Sequence, residues 1–77
     1  MNLWEFAEGE EGVVARMDTS HEAKKTLLMN GLCLGSIFIK NYSPRYAKLI
    51  NIVINGRILS IRAIDAKNIK VVKHQSA

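Results

Sequence analysis

The stretch that constrains this chain most is 27–35, Leu-Leu-Met-Asn-Gly-Leu-Cys-Leu-Gly. A glycine stands at each of two bends. Gly31 sits where a helix would finish, because a residue without Cβ takes the left-handed conformation at no steric cost. With Gly31 just past the helix, Leu32 follows it and Leu27 lies in the last turn. Those two positions touch in a Schellman ending, and both are leucine here. Gly35 then opens Ser36-Ile37-Phe38-Ile39-Lys40, whose β-branched and aromatic residues suit a strand. One short stretch therefore hands a helix over to a sheet.

Around it the chain reads in order. Leu3 and Phe6, three apart, fall on one face of a short opening turn that lays them on the core. Gly9 and Gly12 mark a turn into a first strand over 13–17. Thr19, with Glu22 three residues on, makes a capping box at the start of a helix over 20–30. Ala23 and Leu27 share that helix's inner face, Leu28 widens it, and Lys24 and Lys25 point to solvent. A second strand covers 36–42. The loop Ser43-Pro44-Arg45-Tyr46-Ala47 leads to a third strand over 48–54.

Asn55-Gly56 is the strongest short turn signal, a type I′ reversal into a fourth strand over 57–62. Such a two-residue loop fixes the register, with residue 54 opposite 57. Ile50, Ile52, Leu59 and Ile61 then share the core face. Leu49, Val53 and Ile58 lie on the other, which is more apolar than solvation alone requires. A single helical turn over 63–68 leads to a last strand over 69–72, and 73–77 reads as a frayed tail. Five short strands with one helix between the first two make a mostly β, single-domain chain. The expected shape is a small, strongly bent, closed barrel.

Size and charge narrow the function. A 77-residue domain buries only about 60% of the surface its unfolded chain exposes, so closed reactive pockets are hard to build. One cysteine, Cys33, excludes an internal disulfide and suits a reducing compartment, where it reads as a small buried hydrophobe. No basic, apolar leader opens the chain, and no apolar run approaches the ~20 residues of a membrane helix. The expectation is a soluble, cytoplasmic protein. Residues 1–22 hold six of the seven acidic residues, and 23–77 hold ten of the eleven basic ones. Such a split either suits an anionic partner or cancels when the two parts meet on folding.

Chemistry-bearing patterns are missing. His21 and His74 stand far apart, with no HxxxH, CxxC or HExxH spacing. Glu8, Glu10 and Glu11 form a solvated acidic turn that could gather a divalent cation weakly. No nucleophile elbow, triad or phosphate-cradling glycine loop is present. The reading is a non-enzyme without a cofactor. Tyr42, Arg45, Tyr46 and Lys48 place two aromatics among basic residues, as small nucleic-acid-binding barrels do. Two aromatics make a poor stacking platform, and the same loop suits an extended peptide.

Taken together these residues resemble the FeoA family, small SH3-like cytoplasmic proteins that accompany the ferrous iron transporter FeoB in bacteria. Leu3, Gly9 and Gly12-Val13-Val14 are similar to its opening. Leu27 through Leu32, with Gly35 and Ile37, resembles its leucine-glycine helix ending. Gly56-Arg57-Ile58-Leu59-Ser60-Ile61-Arg62 resembles its late hairpin, and Ala66, Ile69 and Val71 its closing turn and strand. Two features depart from the pattern: Leu34 stands where a proline is common, and Thr26 separates Lys24-Lys25 from Leu27. The resemblance implies an SH3-like barrel and an accessory role in ferrous iron transport, exerted by contact with the cytoplasmic GTPase part of FeoB. Lys24, Lys25 and Met29 on the helix, with Leu49, Val53 and Ile58 on the hairpin, are the expected contacts. A similar domain closes some iron-dependent repressors, so a regulatory module binding nucleic acid or a transition metal ion is the alternative. Hydrophobic strand edges also allow a homo-oligomer.

Overall fold

The computed structural model describes residues 1–43 and 48–75. Strand β1 (Glu11–Met17) is followed by helix α1 (His21–Met29), β2 (Ile37–Lys40), β3 (Leu49–Ile54), β4 (Arg57–Arg62), the short helix α2 (Ala63–Ala66) and β5 (Ile69–Lys73). All five strands join one antiparallel sheet in the order β4-β3-β2-β1-β5. The sheet wraps around a core in which Leu3, Leu32, Phe38, Ile52, Ile61 and Ile69 are almost wholly buried.

The helix-to-sheet handover has the geometry its glycine requires. Gly31 takes φ +91°, its N–H donates to the Leu28 carbonyl at 3.0 Å, and the Leu32 N–H donates to the Leu27 carbonyl at 2.9 Å. That pair of bonds is the Schellman pattern, and Leu27 and Leu32 both enter the core. Asn55 and Gly56, at φ 52° and 76°, reverse the chain between β3 and β4. Ile54 faces Arg57, Val53 faces Ile58 and Ile50 faces Ile61.

The ladder does not close. β4 and β5 do not pair, and α2 carries the chain between them. The opening residues take the bonds that closure would need. Leu3 N–H donates to the Ile69 carbonyl and Val71 N–H to the Met1 carbonyl, both at 2.8 Å, so the outer edge of β5 is already occupied. This is an open, wrapped SH3-like sheet rather than a sealed roll.

Four local readings are also corrected. Ser20, not Thr19, caps α1: its Oγ accepts from the Ala23 N–H at 3.2 Å, which leaves Glu22 one position too early to reach back. Thr19 Oγ1 is then buried without a hydrogen-bond partner among the described residues. Gly12 lies inside β1 and not in a turn. It is there for space, because a Cβ would stand 2.7 Å from the Phe38 ring and 2.9 Å from Phe6. Leu28 and Cys33 are exposed: α1 buries only Ala23 and Leu27, and a turn bonded to Ser36 turns Cys33 outward. Finally, β5 runs through Lys73, and the His74 N–H donates to the Glu11 carbonyl at 2.9 Å, so 73 and 74 are held rather than frayed.

Sequence reasoning missed Lys40. Alternation along β2 turns Phe38 and Lys40 inward. The buried ammonium donates to the carbonyls of Trp4 and Phe6, both at 2.7 Å, and so ties the opening turn to the sheet.

Candidate interaction surfaces

Two exposed apolar surfaces stand out. The first is the outer side of α1. With Ala23 and Leu27 turned inward, the remaining positions face solvent, among them Lys24, Lys25, Leu28 and Met29. Leu28 is 50% exposed and Met29 79%. These two, with His21, Lys24 and Lys25, line a shallow apolar hollow. Neither lysine makes an ion pair among the described residues. The surface is apolar and positively charged.

The second surface is the outer face of the sheet, and register makes it continuous. Ile58 faces Val53 across β4 and β3, and Val53 faces Ile39 across β3 and β2. Two residues back along β2, Ile37 faces Val13 of β1, which faces Val72 of β5. An apolar stripe thus crosses all five strands. Leu49 lies on the same face beside it, opposite Arg62. Two carboxylates at its border lie against basic side chains, whereas Lys70, two residues from Val72 on the same face of β5, makes no ion pair among the described residues. His74 Nδ1 lies 2.6 Å from Glu11 Oε1, and Lys73 Nζ lies 3.2 Å from Glu10 Oε2. These two contacts also join the acidic start of the chain to its basic end.

The structure therefore sorts the six expected contact residues into two groups. Val53 and Ile58 meet across a strand pair with Leu49 on their face, while Lys24, Lys25 and Met29 belong to the helix side. Val13, Ile37, Ile39 and Val72 were not anticipated. Their outward parity within each strand is a sequence signal, but aligning them needs the long-range pairing of β1 with β2 and β5. Tyr42 is exposed at the start of the tyrosine-containing loop, whose Arg45 and Tyr46 lie outside the described residues. Among the described residues no three His, Cys, Asp or Glu side chains gather as metal ligands. No helix among them is long and apolar enough to cross a membrane.

The FeoA domain family model matches residues 1–73, nearly the whole chain. The chain belongs to the FeoA domain family. Solved structures agree on the fold. A crystal structure of an iron uptake regulatory protein, FeoA, is similar with a TM-score of 0.80 at 26% identity, with 95% of each chain covered. A manganese-dependent transcriptional repressor reaches 0.88 at 25% identity, over 96% of this chain and 36% of that one. Iron(II) transport protein A from Clostridium thermocellum reaches 0.86 at 22% identity, over 95% of this chain and 45% of that one. The chain thus spans less than half the length of the last two. No curated protein matches it.

Proposed function

We propose that this protein is a non-enzymatic accessory of bacterial ferrous iron transport that acts by binding the cytoplasmic GTPase part of FeoB. Membership of the FeoA family supports the transport role. The observation that carries the binding role is the outer side of α1, where Leu28 and Met29 stand exposed beside two lysines that make no ion pair among the described residues. Apolar anchors rimmed by like charge suit a partner surface of opposite charge, which steers encounter and excludes wrong partners. The hairpin end of the sheet face, Leu49, Val53 and Ile58, adds a second contact area.

Retention of the FeoB GTPase part on immobilised protein tests this reading. Wild type retains it. Lys24→Glu with Lys25→Glu loses it, and Val53→Asp with Ile58→Asp weakens it. Equal retention by both folded variants would remove these surfaces from the reading, and no retention by wild type would remove the partner.

The likeness to a manganese-dependent repressor favours a second reading, a regulatory module responsive to metal or nucleic acid. It requires ferrous or manganous ion in excess to raise the melting temperature, or an oligonucleotide to bind with steep salt dependence.

A further inference from the structure

We propose that the groove beside α2 is a docking site for an extended protein segment rich in both acidic and aliphatic residues.

The groove is built by the chain's own bonding. The Ala63 N–H donates to the Lys48 carbonyl at 2.9 Å, which clasps the chain entering β3 to the chain leaving β4. Beside this clasp lies a groove of about 680 Å³, open to solvent, whose apolar lining is Trp4, Leu49, Ala63 and Ile64. Ile64 is 66% exposed and Leu49 40%. The walls are already fixed. The Lys40 ammonium holds the Trp4 carbonyl at 2.7 Å, the Lys67 N–H donates to the Ala63 carbonyl at 3.0 Å, and the Asn68 side chain donates to the Ile64 carbonyl at 2.9 Å. A ligand entering a site held in this way loses little affinity to ordering it.

Charge says what enters. Lys48, Arg62 and Lys67 line the groove, and among the described residues no acidic side chain does. Asp65 is turned to Arg62 Nε at 2.9 Å and is only 14% exposed. Lys48 and Lys67 make no ion pair among the described residues. The chain's other carboxylates are largely committed elsewhere. Glu10, Glu11 and Asp18 lie against Lys73, His74 and Arg16, and Glu8 accepts from the Ser43 N–H. The carboxylate that complements the groove therefore comes from another molecule. Lys48 also stands at φ 55°, a backbone strain of the kind that collects at ligand clamps.

An aliphatic floor with a basic rim calls for a ligand that carries apolar and carboxylate groups side by side. An extended peptide does so, because its successive side chains alternate in direction. A nucleic acid fits less well. Bases stack on aromatic faces, and Lys67 Nζ already lies over the Trp4 ring, 5.4 Å from its centroid. A bilayer surface is flat and does not fill a concave site. The groove shares only Leu49 with the surfaces assigned to FeoB, and the proposal does not rest on that assignment.

Trp4 is the sole tryptophan, so its emission reports on this groove. The test titrates the purified chain with an end-blocked peptide of about eight residues mixing Leu and Ile with Asp and Glu. Wild type gives a saturable change with a dissociation constant of about 10–300 μM. The same peptide with Lys in place of its acidic residues binds at least about tenfold more weakly. Anisotropy of a labelled acidic peptide follows the variants, since Lys67 itself touches Trp4. Ile64→Asp, and Lys48→Glu with Lys67→Glu, each weaken binding at least about tenfold while the thermal melt stays cooperative. Lys48→Glu alone serves if the double variant does not fold. Lys24→Glu with Lys25→Glu on α1 leaves binding unchanged. No saturable change at about 1 mM peptide overturns the proposal. So do equal binding of the acidic and basic peptides, and binding that the groove variants do not weaken or that the α1 variant weakens as much. A stronger response to a single-stranded oligonucleotide or to phosphatidylglycerol vesicles than to the acidic peptide gives the groove a different occupant and also overturns it. None of these measurements uses FeoB, so this proposal and the FeoB reading fail separately.

Discussion

The β3–β4 hairpin and the region where β1 meets β2, β5 and the opening turn are held together in different ways. In the hairpin, Asn55-Gly56 sets the reversal, and the register of all six residue pairs follows from that local turn. In the β1 region every important contact is distant in sequence. Lys40 bonds carbonyls 36 and 34 residues away, and His74 meets Glu11 across 63. Gly12 is required by two rings from other elements. Local contacts cost little chain entropy to close, whereas distant ones need the fold in place first. The hairpin should therefore tolerate damage elsewhere, while the β1 region should lose cooperativity when one distant tie is cut.

The largest expected effect probes that difference directly. Lys40→Met leaves the Trp4 and Phe6 carbonyls without their donor and should cost about 2–4 kcal/mol. That corresponds to a fall of about 10–25 °C in the melting temperature. Native-state hydrogen exchange should then show the opening turn unprotected while amides of Leu59 and Ile61 remain slow. Equal loss of protection in both regions would break the comparison.

Gly12→Ala comes next. Its methyl group would press on Phe38 and Phe6, whose rings meet edge-on at 5.4 Å, and overpacking of this kind costs about 1–3 kcal/mol. A chemical melt that does not move would mean the rings shift freely. On the hairpin side, Gly56→Ala places a Cβ at φ 76° and should cost about 1–2 kcal/mol. Its effect on exchange should concentrate in β3 and β4. The smallest effect has the opposite sign. Thr19→Val removes a buried hydroxyl with no hydrogen-bond partner among the described residues and should raise stability by about 1 kcal/mol, seen as a higher denaturant midpoint.

The same contrast explains what could be read in advance. The Schellman ending at Gly31, the hairpin register and the inward face of Ile50, Ile52 and Ile61 follow from neighbours in sequence. The open ladder does not, since it depends on the first three residues reaching β5. Capping slipped by one residue because Thr19 and Ser20 are both competent caps, and only packing chooses between them. Of the candidate surfaces, the hairpin end and the lysines of α1 were legible from local pattern. The rest of the stripe required knowing which strands lie side by side, information that alternation within one strand does not carry.

The exposed thiol of Cys33 bears on how any dimer of this protein is interpreted. Air oxidation can bridge two molecules through sulfur at the loop after α1. Such a species would survive denaturant and vanish with dithiothreitol, whereas a non-covalent association would behave the other way. The same thiol, as the sole cysteine, accepts one fluorophore per molecule.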